Sequence, residues 1–163
     1  MFMVLHAALA MTMQRSGCGD DIVIGTALAG RQDDLLQDMV GFFVNTLALR
    51  SRIDADRSMA DLLDGVRDAD LSAFDNQDLP FDQIVDRLVP DRSLAVNPLF
   101  QVFLVLQNAA PAALSLPGLS VELIDSGLDA AKFDLTLDLA ESRDQAGRAA
   151  GIEGVLQYDA DLY

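Results

Sequence analysis

The chain has 163 residues, enough for one domain with a sizeable core or for one lobe of something larger. Its 26 acidic against 11 basic residues give a formal charge of −15, which argues against a nucleic-acid binder and against an anionic membrane surface. With 51% hydrophobic residues it is expected to fold rather than stay disordered.

Residues 2–15 read as a helix that is apolar on nearly every side, the pattern of an element buried by neighbours on more than one face. The run is too short to span a bilayer, and no basic region precedes it as in a signal peptide. A hydrophobic helix beginning at residue 1 predicts further chain upstream. His6, the sole histidine, is expected to be packed with one satisfied hydrogen bond. Cys18, the sole cysteine, reads as a loop thiol. It allows no disulfide within the chain, which fits a reducing compartment, and two isolated residues supply no zinc set.

Ile22–Leu28 predicts a strand, β-branched and continuously apolar, with Gly25 where something approaches closely. Gly30-Arg31 turns the chain into a short helix over Leu35–Val40, whose first turn carries Asp33 and Asp34 against the helix dipole. Thr46–Ile53 alternates: Leu47, Leu49 and Ile53 lie on one side, Arg50 and Arg52 on the other. Ser58 and Asp61 form a capping-box pattern ahead of a helix bearing Met59, Leu62, Leu63, Val66 and Ala69 on one stripe and a solvated acidic face. Pro80 suits a first helical position, with Phe81, Ile84, Val85 and Leu88 as the apolar side of the next helix.

Leu99–Leu106 reads as a central strand, Ala109–Pro117 as a flexible connection and Leu119–Ile124 as a short strand. Phe133–Leu139 alternates cleanly, Glu141–Gly151 makes a polar turn, and Ile152–Tyr158 returns as the hairpin partner. The class is α/β with a mixed sheet and its helices in the first half.

No self-contained catalytic set is present. A Ser–His–Asp triad would have to use His6, no nucleophile elbow accompanies it, and there is neither a phosphate loop nor a GxGxxG string. Packing does not ask for several residues: Thr26, Arg31, the Gly41-Phe42-Phe43 run and Asn45-Thr46, which suggest a wall of a working cavity. Phe42 and Phe43 read as core in the first instance. Asn45 and Thr46 either bond substrate or satisfy a strand end.

Three stretches, in order, together resemble one family. IGTALAGR with GFFVNT, then NQDLPFD, then RSLAVNPLFQV resemble motifs of nonribosomal peptide synthetase condensation domains, and the closing LQYDADLY is similar to the family's sequence beyond the third motif. The resemblance implies a chloramphenicol-acetyltransferase-like two-layer sandwich lobe, a mixed sheet with helices packed mainly on one face. It also implies that residues 1–163 are the C-terminal lobe, because the family's HHxxxDG motif, which belongs to the first lobe, is absent from this chain. The expected activity of the whole domain is amide formation between aminoacyl or peptidyl thioesters, with this lobe as one tunnel wall and inactive alone.

Residue by residue, the resemblance makes Arg31 a support at the lobe interface, the alternative being an exposed turn arginine in weak pairing. It sets Asn97 beside the tunnel, the alternative being a turn residue before Pro98. Gly25, Thr26, Gly41, Phe42, Phe43, Asn45, Thr46, Gln77, Asp78, Pro80, Phe81 and Pro98 fall in its motifs, and no metal ligand or catalytic residue is assigned. Asn76 stands where the family has His, Asp82 where it has Glu, and Ala95-Val96 where it has Ser-Arg. The implied partners are an N-terminal condensation lobe, peptidyl carrier proteins and an adjacent adenylation domain, in the cytoplasm. No cofactor is bound directly, and the carriers' phosphopantetheine serves as the substrate tether. Two alternatives stand beside this reading: a non-catalytic interaction module docking a carrier or partner, and a small acyltransferase using His6 as base. A lobe separated from its mate predicts self-association or poor order around residues 109–118.

Overall fold

The computed structural model describes residues 1–89, 91, 96–107, 118–122, 124, 130–144 and 146–162. Its elements are α1 (Phe2–Met13), β1 (Asp21–Leu28), β2 (Asn45–Arg52), α2 (Met59–Asp75), α3 (Phe81–Leu88), β3 (Val102–Gln107), β4 (Leu135–Arg143) and β5 (Ala149–Tyr158). The strands form one sheet in the order β2-β1-β3-β4-β5. β1 and β2 are antiparallel, β3 lies parallel to both β1 and β4, and β4 and β5 close an antiparallel hairpin. The β1–β3 seam is short, with only Ile24 opposite Val102 and Gly25 opposite Phe103.

Strand alternation sorts the core. Ile22, Ile24 and Thr26 stand opposite Ser51, Leu49 and Leu47, and this face is buried. Ala10 of α1, Ile22, Ile24, Ile53 and Leu104 form the core cluster, with Leu5, Leu9 and Leu62 packed against it. Helices α1 and α2 thus cover one face of the sheet, as expected of this architecture. α2 starts where Ser58 and Asp61 predict, since both halves of the capping box are made. At the sheet corner Arg50 donates to both Asp21 carboxylate oxygens, at 2.7 and 2.5 Å. Those bonds hold the Asp21 carboxyl below the usual carboxylate range, so this exposed pair contributes above that range and fades as pH falls.

The opposite face carries an aromatic cluster seated on Gly25. A Cβ at Gly25 would lie 2.2 Å from a Phe100 ring carbon, so the ring occupies the space that any side chain would need. Phe100 in turn packs against Phe81, Phe103 and Phe133, with centroids 5.5, 5.9 and 5.5 Å away, and Phe103 stacks on Phe133 at 4.6 Å. We expect Gly25→Ala to destabilise by about 1–3 kcal/mol through overpacking. Chemical denaturation measures it, and an unchanged midpoint would show that the ring swings aside freely.

Several expectations change. The helix expected over Leu35–Val40 is a single 3-10 turn, Asp34–Leu36, because Leu35 and Val40 are exposed and no core rewards a longer one. No strand forms among the described residues 118–122 and 124: Leu119, Val121 and Ile124 are exposed, and both sides of β4 are already taken by β3 and β5. β3 begins at Val102 rather than Leu99, whose φ of 71° breaks an extended run. The polar turn is shorter than expected, since β4 runs to Arg143 and β5 starts at Ala149, and Asp144 accepts from the Ala146 and Arg148 amides. Pro80 caps α3 from outside the first turn. The connection over residues 109–117 lies outside the described residues.

Candidate functional site

Two of the motif stretches meet at one cleft of about 420 Å³, which Phe42, Phe43, Asn45, Gln77, Asp78 and Pro80 help to line. Asn45, at the first position of β2, makes the junction. Its amide nitrogen donates to the Gln77 and Leu79 carbonyls at 2.8 and 3.0 Å. Its amide oxygen accepts from the Thr46 and Phe81 backbone N–H groups at 2.9 and 3.2 Å. An asparagine amide has two donor hydrogens and two acceptor lone pairs, and all four are used here. Asn45 therefore fixes the wall of the cleft and has no capacity left for a bound molecule.

Arg31 organises the other side. Its guanidinium donates to the Leu36 carbonyl, to Gln37 at 3.3 Å and to Gly41 at 3.4 Å, and lies 4.4 Å from the Phe43 ring centroid. Gln37 returns a bond to the Arg31 carbonyl at 3.0 Å. Gly30 permits this loop, with a φ of +65° and the Phe43 carbonyl 1.9 Å from where its Cβ would sit. With Phe43 held, Phe42 projects outward at 89% exposure; it is not core. A large aromatic ring held on a cleft wall by a stapled loop is a contact surface for an apolar or amphipathic chain.

The remaining motif residues are dispersed. Thr26 is buried on the helix-covered face, away from the cleft. Gly25 and Phe81 belong to the aromatic cluster. Asn97 donates to the Lys132 carbonyl at 2.9 Å and its own carbonyl accepts from Gln101, so the Asn97-Pro98 turn is tied to the start of β4's approach.

One polar assembly has no counterpart among the motifs. His6, Asp70 and Ser51 form a buried chain. His6 Nδ1 donates to the Asp70 carboxylate at 2.9 and 3.1 Å, and His6 Nε2 lies 3.3 Å from the Ser51 hydroxyl. His6 thus has two partners rather than the one expected. The order Asp–His–Ser is that of a hydrolytic relay, yet His6 and Asp70 are 0% exposed and the ring offers no surface to a substrate. The assembly clasps α1, α2 and β2 together. Its signal is present in the sequence: Asp70 lies four residues after Val66 and four before Phe74, on the apolar stripe of α2.

A mixed five-stranded sheet with helices over one face and a motif-lined cleft at its end defines a chloramphenicol-acetyltransferase-like α/β lobe. The chain belongs to the condensation-domain family, whose model ("Condensation domain") matches residues 1–162. A dimodular nonribosomal peptide synthase of Bacillus subtilis (strain 168) is 48% identical over 163 residues, covering 100% of this chain and 7% of that protein. The chain thus spans a small fraction of the curated relative it matches. Among solved structures, the X-domain from teicoplanin biosynthesis superposes with a TM-score of 0.90 at 35% identity, over 99% of this chain and 36% of the other. The same kind of domain in complex with OxyB gives 0.85 at 34% identity, over 98% and 34%.

Proposed function

We propose that this chain is the C-terminal lobe of a condensation domain in a nonribosomal peptide synthetase, where it supplies one wall of the tunnel in which amide bonds form. The cleft that joins GFFVNT to NQDLPFD carries the proposal, because it brings two separate family motifs to one surface with Phe42 presented on it. In the reaction the acceptor amine attacks the donor thioester carbonyl; a C–N bond forms, the C–S bond breaks, and the amine's proton leaves. The HHxxxDG motif of the N-terminal lobe handles that proton. This chain contributes shape: Asn45 and Arg31 hold the wall rigid, and Asn97 ties its own turn to the approach to β4.

The substrates are aminoacyl or peptidyl groups tethered through the phosphopantetheine of peptidyl carrier proteins, with an adenylation domain as neighbour. The setting is cytoplasmic, and among the described residues no helix is long and apolar enough to cross a membrane. Given loaded donor and acceptor carrier proteins, the chain alone is expected to form no dipeptide. Supplied with a lobe bearing HHxxxDG it should do so, and Phe42→Ala should slow that reaction without lowering stability. Dipeptide made by the chain alone would overturn the proposal.

A second reading, a non-catalytic docking module, is favoured by one observation: the X-domain neighbour has been solved in complex with another protein, OxyB. An HHxxxDG string encoded in the same reading frame supports amide formation, and its absence supports the docking module. The third option, His6 as a base, meets a ring that is fully enclosed.

A further inference from the structure

The two edges of the sheet are guarded very differently. β2, at one end of the strand order, carries Arg50 and Arg52, and charged side chains on an edge discourage another strand from adding to it. β5, at the other end, is ten residues long (AAGIEGVLQY), contains no proline and bears a single charge, Glu153. Ile152, Val155 and Leu156 are 46%, 66% and 56% exposed. A long, apolar, nearly uncharged edge is a template for strand addition.

We infer that β5 is a self-association surface, and that its partner is β5 of a second copy of this chain, paired antiparallel about a two-fold axis at Gly154. The residue pattern fits its own reflection. With Gly154 opposite Gly154, Ile152 of each copy faces Leu156 of the other, giving two aliphatic cross-strand pairs on one face. On the other face Glu153 stands opposite Val155, so the two carboxylates sit on a diagonal about 7–8 Å apart instead of directly opposed. Gly154 puts no side chain at the axis. It also lies tight against β4, where a Cβ would come 2.1 Å from the Asp138 carbonyl, so the strand is seated firmly for pairing. Clear of the register shift at Ala149–Gly151, the pairing spans Gly151–Gln157 and makes about seven main-chain hydrogen bonds, within the range of an ordinary specific interface. The pairing yields a continuous ten-stranded sheet with the helices of both copies on the same side. The charge of −15 on each copy opposes it, and salt near 0.15 M screens that repulsion beyond roughly 8 Å.

The proposal is independent of the catalytic reading, since it concerns the far edge of the sheet. Sedimentation velocity of the chain across a concentration series at physiological salt should show a monomer–dimer equilibrium. Val155→Glu, on a side chain that projects into solvent, sets a second carboxylate directly opposite the other copy's Glu153; it should leave the circular dichroism spectrum unchanged and abolish the dimer. The register has its own test in a Cys18→Ser background: Ile152→Cys and Leu156→Cys chains, mixed and oxidised, should cross-link to each other in preference to themselves. A chain that is monomeric throughout, a folded Val155→Glu chain that still dimerises, or cross-linking without that preference would each overturn the proposal.

Discussion

Replacing Asp70 with Ala should cost about 3–5 kcal/mol, the range for breaking a buried pair by removing one partner. The urea midpoint should fall with the slope unchanged, because a cavity and an orphaned histidine N–H weaken the native state without altering the surface exposed on unfolding. The physical reason is the enclosure. His6 Nδ1 has no route to water, its hydrogen bond to Asp70 is 2.9 Å long, and both side chains are shut off from solvent. Losing the carboxylate leaves a donor with nothing to meet. Asp68→Ala, two residues earlier on the exposed side of α2, should change stability by no more than about 0.5 kcal/mol. The paired change His6→Leu with Asp70→Leu should recover most of the loss, since replacing both partners of a buried hydrogen bond by apolar groups leaves neither of the two unmatched. An Asp70→Ala chain as stable as the parent would show that the clasp does not hold the lobe together.

Asn45→Ala is the second large effect. Four hydrogen bonds are lost at once, and two carbonyls and the Thr46 and Phe81 N–H groups must find water or stay unmatched. At about 1 kcal/mol net per bond the expected loss is about 2–4 kcal/mol. Amide hydrogen exchange gives a local readout: the Phe81 N–H should lose protection in the variant, while the β4–β5 amides keep theirs. Asn45→Asp should not rescue the loss, because a carboxylate keeps the acceptors but sets negative charge against the Gln77 and Leu79 carbonyls. If Asn45→Ala leaves both stability and Phe81 exchange unchanged, something other than this side chain holds the cleft wall.

Much of this architecture is legible in the chain. The alternation in Thr46–Ile53 and Phe133–Leu139 and the capping box at Ser58 each name their element, since local chemistry alone decides them. What escapes is decided by neighbours distant in sequence. Leu35–Val40 has helical spacing but nothing to bury against. Leu119–Ile124 has strand composition, but its described residues are exposed and join no strand. Phe42 and Phe43 are identical in type, yet only Phe43 is held back, because Arg31 lies over its ring and Gly30 lets its carbonyl approach. Asp70 is hidden by its own charge, which invites a solvated reading on a helix whose other acids are solvated. For the site, the motifs name the residues, and the fold shows that Asn45 and Arg31 act on their own chain while Phe42 faces outward.

The short seam between β1 and β3 has a mechanical consequence. Eight residue pairs join β1 to β2, and six join β3 to β4, against two across the seam. The sheet is therefore two stiff ribbons sharing a narrow joint, and bending is cheapest there because the fewest pairs need to part. Phe100 sits at that joint like a wedge, filling the notch at Gly25 on one ribbon and packing against Phe103 and Phe133 on the other. The ring thus joins the ribbon that carries the cleft to the ribbon that carries the outer edge, β5.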